Sequence, residues 1–136
     1  MKEVTTYLNF DGHCGEAMTF YAQCLGAELG LTSFSESTSD YPEGAKDRIV
    51  HASLTKGPRP VLMASDIMPG MLFQPGDNFS VCVDCESLEE IQRLFAGLGE
   101  GGKVTMPLQD MFWGDHFGMV KDRFGIHWMF NFKYPK

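Results

Sequence analysis

The sequence predicts an α+β fold in which two paired β-α-β-β-β modules form a curved mixed sheet around a cavity, with the helices outside. Three observations carry this. Short runs rich in β-branched and aromatic residues, bounded by Gly, Pro and Asp, recur along the chain as strands do. Apolar spacing changes to the helical period in only two stretches, one beginning near Gly15 and the other near Leu88. The order strand, helix, three strands occurs twice, in halves of roughly 60 residues, as a repeat of pattern with little repetition of letters. A unit this small leaves one sheet face uncovered by its single helix, so two units joined edge to edge would close a sheet over a cavity. Residues 1–136 are read as one domain, with a first module over about 1–66, a linker over 67–77 and a second module over about 78–136.

Thr5-Thr6-Tyr7-Leu8-Asn9-Phe10 reads as the first strand and stops at the turn signal Asp11-Gly12. From about Gly15, Ala17, Phe20, Tyr21, Cys24 and Leu25 fall on one helical face, and Gly26 stands where the helix should end. Leu29 to Phe34, Arg48 to Thr55 and Val61 to Ser65 read as three strands. They are separated by a polar loop (Ser35 to Lys46) and by the turn Gly57-Pro58-Arg59-Pro60. The Pro and Gly residues of Ile67 to Asp77 mark a linker. Asn78 to Asp84 is then a strand, and Ser87-Leu88-Glu89-Glu90 is a capping-box sequence that opens a helix. Leu88, Ile91, Leu94, Phe95 and Leu98 supply that helix's buried stripe, and Gly97 to Gly102 ends it. Lys103 to Leu108, Phe117 to Lys121 and Ile126 to Phe132 complete the second set of strands.

A chain of 136 residues hides roughly two-thirds of the surface its unfolded form exposes, enough for a core without disulfide staples. Hydrophobic residues at 43% and charged residues at 21% place it among globular proteins and not among disordered ones. Eleven Phe and nine Met, against two Trp and four Tyr, point to a large, soft apolar interior or pocket. The net charge of −7 repels a phosphate backbone and no basic run offsets it, so no nucleic-acid partner is expected. No window approaches membrane-spanning length and no apolar N-terminal stretch resembles a signal peptide, so no membrane partner is expected. Four cysteines, at 14, 24, 82 and 85, are too few and too unevenly placed for a disulfide framework. The expected location is the reducing cytoplasm.

Several motifs invite a chemical reading. Cys82-Val83-Asp84-Cys85 has the C-x-x-C spacing, but residues three apart on a strand point to opposite faces. A redox pair is favoured at a helix start, whereas the cap Ser87 comes after both thiols; the pair is read as strand cysteines. Gly97-Leu98-Gly99-Glu100-Gly101-Gly102 follows a helix and precedes a strand, the wrong end for phosphate binding, and is read as helix termination. No strand, Gly-rich loop and helix occur together as nucleotide and S-adenosylmethionine sites require, and no cofactor is expected. Of the histidines, His13 is read as a surface or capping residue and His116 as a turn residue rather than a general base. His51 alternates with Ile49 and Ser53, opposite the apolar Val50, Ala52 and Leu54, and should face the cavity. His127 shares a strand face with Met129 and Asn131, opposite Ile126, Trp128, Phe130 and Phe132. The aromatic stretch Met111 to Gly118 is either a hairpin packed on the core or a mobile wall for a ligand.

With the doubled pattern in place, the chain resembles the vicinal oxygen chelate superfamily of glyoxalase I, bleomycin-resistance proteins and extradiol dioxygenases. Within it the chain is most similar to the PhnB-like group, some of whose members carry a demethylubiquinone methyltransferase name. The likeness rests on Tyr7-Leu8-Asn9-Phe10-Asp11-Gly12 before Glu16 to Tyr21, on Ile49-Val50-His51-Ala52 and on Leu62 to Asp66. The most specific parts are Gly101-Gly102-Lys103-Val104-Thr105-Met106-Pro107-Leu108 with Phe112-Trp113-Gly114-Asp115, and Asp122-Arg123-Phe124-Gly125-Ile126-His127-Trp128. The resemblance implies paired modules around a cavity, commonly completed in a homodimer, but no single reaction. Metal-using members of the superfamily draw a His or Glu from the first strand of each module and a Glu from the last strand. Here those slots offer Val4, Thr6 and Leu8 or Thr5, Tyr7 and Asn9; then Asn78, Ser80 and Cys82; and lastly Met129.

The reading is a cytoplasmic, homodimeric small-molecule-binding protein with no catalytic metal. Its cavity would be lined by His51, Ser53, Met63, Ser65, Trp113, Phe117, His127 and Met129. In an enzymatic version His51 or His127 is the acid/base candidate, because imidazole titrates near neutral pH. Two alternatives stand beside it: a metal-dependent glyoxalase-type lyase or isomerase, and a drug-sequestering resistance-type protein that stacks its ligand on aromatic rings.

Overall fold

The computed structural model describes residues 1–136, and the polypeptide divides into two units, Met1–Gln74 and Pro75–Lys136. In the first unit, β1 (Tyr7–Phe10) leads into α1 (Cys14–Leu25), followed by β2 (Glu28–Ser33), α2 (Phe34–Ser37), β3 (Ile49–Lys56) and β4 (Arg59–Asp66). Gly26 closes α1 in the left-handed region (φ 65°), as its position in the sequence requires. The four strands form one sheet in the order β1-β4-β3-β2, with β1 parallel to β4 and the other pairs antiparallel. Helix α1 packs against β2, β3 and β4. Beneath it lie Leu8, Phe10, Ala52, Leu54, Leu62 and Ala64, the alternate residues of their strands, all buried.

The second unit repeats the connectivity. Its elements are β5 (Val81–Cys85), α3 (Leu88–Gly99), β6 (Lys103–Asp110), β7 (Asp115–Lys121) and β8 (His127–Lys133). The sheet order is β5-β8-β7-β6, again with only the first pair parallel. Ile91, Leu94 and Leu98 of α3 are buried, as are Val120, Trp128, Phe130 and Phe132 of the strands. Phe95 meets Phe130 edge to face at 5.6 Å. Gly118 of β7 is what lets this layer close, because a Cβ there would stand 2.8 Å from Phe95 and 2.9 Å from Leu108.

Some details differ from the sequence reading. Leu88 is exposed and not part of the buried stripe, since it is the first residue of α3 and lies off the Ile91–Leu94–Leu98 face. Ser87 does cap the Glu90 amide, but Glu90 returns its carboxylate to the amide of Glu86 rather than to that of Ser87. The full reciprocal box forms instead at α2, where Ser33 and Glu36 satisfy each other's amides. That one-turn helix occupies the start of the stretch read as a polar loop. His116 lies within β7 and not in a turn. On α1, Cys14 and Met18 are buried with Ala17 and Tyr21, while Phe20, Cys24 and Leu25 are only half-buried.

Candidate functional site

In each unit one sheet face is covered by a helix and the other is left open, and the candidate residues fall on the open faces. In the first unit, Tyr7 stands beside Met63, Met63 beside Ser53, and Ser53 beside Gly30, across all four strands. The next row places Asn9 beside Ser65 and His51 beside Thr32. Gly30 keeps this floor low over Ser53, whose Oγ would be 3.2 Å from a Cβ at that position. The rings of Tyr7 and His51, from the strands on either side of β4, approach to 6.2 Å. His51, Ser53, Met63 and Ser65 thus share one face, with His51 exposed and the other three half-buried.

The open face in the second unit is richer in sulfur. Cys82, Met129, Met119 and Met106 stand in one register row across β5, β8, β7 and β6. The next row holds Asp84, Asn131 and Phe117. His127 lies at the start of β8 opposite Lys121, and its Nε2 is buried without a hydrogen-bond partner. Cys82 is exposed on this face while Cys85 is buried on the other, so the C-x-x-C thiols are separated by the sheet itself. Burial raises the Cys85 thiol to about 11, which leaves it protonated and unreactive at neutral pH.

A cleft of about 450 Å³ opens at the end of this unit's sheet, between the β6–β7 hairpin and the residues after β8. It is lined by Trp113, Gly114, Asp115, Lys133, Tyr134, Pro135 and Lys136. The hairpin tip is aromatic: Phe112 meets Trp113 edge to face at 5.0 Å, and Trp113 meets Phe117 at 6.3 Å. Gly114, at φ 98°, makes the tight turn that carries Trp113 to the cleft. Below the tip, Asp110 accepts hydrogen bonds from the Tyr134 hydroxyl at 2.7 Å and pairs with His116 Nδ1 at 2.8 Å. The Tyr134 bond, then the His116 bond, hold the Asp110 carboxyl below its ordinary range; the same bond raises the Tyr134 phenol. This His-Asp-Tyr group could not be read from local sequence, because β6–β7 pairing and the chain's return after β8 bring its members together. The sequence reading names neither Asp115 nor Tyr134 as a site residue, and it sets Trp113 in one cavity with His51 and His127, whereas this cleft contains neither histidine.

Two further carboxylates are structural. Asp66 Oδ1 accepts from the amides of Gly12 and Cys14, and Oδ2 from that of Ile49. Asp122 accepts from the amides of Phe124 and Ile126 and from Trp128 Nε1 at 2.8 Å. Both belong to stretches that carried the family likeness, and they fix turns beside the open faces.

The slots where the superfamily places metal ligands do not fit a divalent ion. On β1 the open face presents Tyr7 and Asn9, since Leu8 is buried; β5 presents Cys82, and β8 presents Met129. A phenol, an amide and a thioether are poor donors for such ions, and the Cys82 thiol, which zinc would bind as a thiolate, is pushed up by burial and by Asp84 and stays protonated. No three His, Cys, Asp or Glu side chains gather as a metal site. No helix is long and apolar enough to cross a membrane.

Comparison with known proteins places this arrangement. Residues 2–130 match the family model described as 3-demethylubiquinone-9 3-methyltransferase. The chain is 34% identical to Protein YjdN of Escherichia coli (strain K12), over 94% of this chain and 93% of that one. Among solved structures it is similar to protein PA1353 from Pseudomonas aeruginosa, at 40% identity and TM-score 0.87, covering 98% of each chain. It is also similar to a putative 3-demethylubiquinone-9 3-methyltransferase, PhnB protein, from Bacillus cereus, at 27% identity and TM-score 0.75, covering 96% of this chain and 99% of that one. At the level of fold alone it matches a glyoxalase/bleomycin resistance protein/dioxygenase family enzyme from Burkholderia phytofirmans, at 13% identity and TM-score 0.58, covering 95% and 98% of the two chains.

Proposed function

The chain belongs to the PhnB-like family, whose model bears the 3-demethylubiquinone-9 3-methyltransferase description, and from that premise we propose that it is a cytoplasmic, homodimeric small-molecule-binding protein that works without a catalytic metal. The observation that carries the reading is the buried, unpartnered Nε2 of His127 on the open face of the second sheet. A buried polar atom left without a hydrogen bond costs about 1–3 kcal/mol, and a ligand recovers that cost by displacing the side chains that cover Nε2 and bonding it. On the same sheet as His127, Phe117, Met129 and the adjoining Trp113 are the other candidate binding groups; His51, Ser53, Met63 and Ser65 form a second candidate set on the open face of the first sheet. If the bound molecule is turned over, His51 or His127 moves the proton.

The edge-to-face series Phe112, Trp113 and Phe117 favours a second reading, sequestration of an aromatic ligand by stacking. Replacing His51 and His127 together by Gln separates the two. An enzyme loses turnover, whereas a stacking binder loses only part of its affinity. The metal-free part of the proposal is tested by elemental analysis after gentle purification. One equivalent of zinc, nickel, manganese or iron per chain, lost on chelation together with an activity, would overturn it in favour of a glyoxalase-type lyase or isomerase. Light scattering at micromolar concentration should give about twice 15.2 kDa; the monomer mass would remove the homodimer.

A further inference from the structure

The cleft at the end of the second sheet contains a group whose surroundings are incomplete. Asp115 is only 8% exposed, yet its carboxylate accepts no hydrogen bond and forms no ion pair within the protein. Its oxygens are not sealed inside the protein, so the donors they take come from the cleft, either water or an ammonium that displaces it. The backbone of Asp115 is fixed, because its carbonyl accepts the Met111 amide at 2.8 Å in the hairpin turn. Its neighbour on β8 is Lys133, which stands opposite it in register but is exposed and makes no ion pair with it. The space in front of Asp115 is the cleft, with Trp113 and Tyr134 among its lining residues and the exposed Lys133 and Lys136 beside them. Tyr134 is held in place through its hydroxyl by Asp110, so it offers the cleft a settled ring and not a free donor.

We propose that this cleft binds a small zwitterion, an amine that also carries an anionic group. Its ammonium reaches Asp115, its hydrocarbon lies against Trp113 and Tyr134, and its anionic end meets Lys133 and Lys136. Each part of the lining has a role in that assignment. The carboxylate has no donor within the protein, and an ammonium supplies the stronger, charge-assisted kind. The aromatic walls favour the cationic end. Two flexible lysines would repel a simple cation, and their long stems let them close over an anionic group at the mouth. The cleft, at about 450 Å³, has room for a molecule of this size together with water. The assignment rests on the small-molecule reading only through Trp113, which both share; none of the other residues belongs to the set that includes His51 and His127.

The probes are 4-aminobutyrate, n-butylamine and butyrate, which share a chain length and differ in charge. Binding is read from the fluorescence of Trp113, with Trp113→Phe as the blank, because the other indole is buried on Asp122. The zwitterion should bind at least about tenfold more tightly than the amine or the acid, and Asp115→Asn should remove that binding. Lys133→Gln with Lys136→Gln, both at exposed positions, should abolish the preference for 4-aminobutyrate over n-butylamine even if the Asn variant fails to fold. No response to 4-aminobutyrate at millimolar concentration, equal binding of butyrate, or an unchanged preference in the double Lys variant would each overturn the assignment. His127→Leu should leave the 4-aminobutyrate response intact. A ligand whose binding depends on His51 or on His127 but not on Asp115 would uphold the small-molecule reading while sinking this one.

Discussion

Asp66 is the residue on which the first unit's β1–α1 turn depends, since its two oxygens hold three amides, those of Gly12, Cys14 and Ile49. Asp66→Ala strands all three donors and should cost about 3 kcal/mol or more, read as a lowered urea midpoint. Asp66→Asn, which keeps one acceptor oxygen, should cost less; equal losses would mean that the hydrogen bonds are not what Asp66 contributes. The same carboxylate and the burial around it push the Cys14 thiol up, from an ordinary 9.0 to about 12, with burial the larger cause. The folded protein therefore keeps this proton where the unfolded chain gives it up. Its contribution to stability is complete below pH 9 and is lost as pH rises from about 9 to about 12. Melting curves across that window should fall less steeply for Cys14→Ala than for the wild type; parallel slopes would contradict the assignment.

At the scale of elements, most of the architecture could be read from periodicity, and the exceptions have physical reasons. The face of β3 that carries His51 and Ser53 was legible because Ala52 and Leu54 alternate with them and are buried, as apolar alternation requires. The same held for His127 and Met129 against Trp128 and Phe130. Helix α2 was not legible, because one turn is too short to show a period and its only signal is the Ser33–Glu36 box. The Asp110–His116–Tyr134 group was hidden because its members are 24 residues apart at the extremes and meet only through strand pairing. Packing makes a sharper demand at Gly118, where a Cβ would also stand 3.1 Å from the Leu108 backbone. Gly118→Ala should destabilise by about 1–3 kcal/mol through overpacking beneath α3. A neutral effect in urea denaturation would show that α3 can lift from the sheet at no cost.

For the molecule as a whole, the fold supplies two open sheet faces, and the side chains on them decide the chemistry. The fold of the glyoxalase/bleomycin-resistance proteins is present, while the strand positions weighed as metal ligands on the open faces hold Tyr7, Asn9, Cys82 and Met129. The imidazole, hydroxyl, thioether and aromatic groups that each face presents by itself are what the small-molecule proposal rests on. The most direct test compares thermal melting of the wild type and His127→Leu, each alone and against a library of small molecules. If Nε2 is kept unsatisfied for a ligand, the variant alone should melt higher by about 4 °C, because it no longer buries an unpaired polar atom. Compounds that raise the wild-type melting temperature should then do so weakly or not at all in the variant. A variant that melts lower than the wild type, together with no compound that stabilises the wild type, would contradict the account.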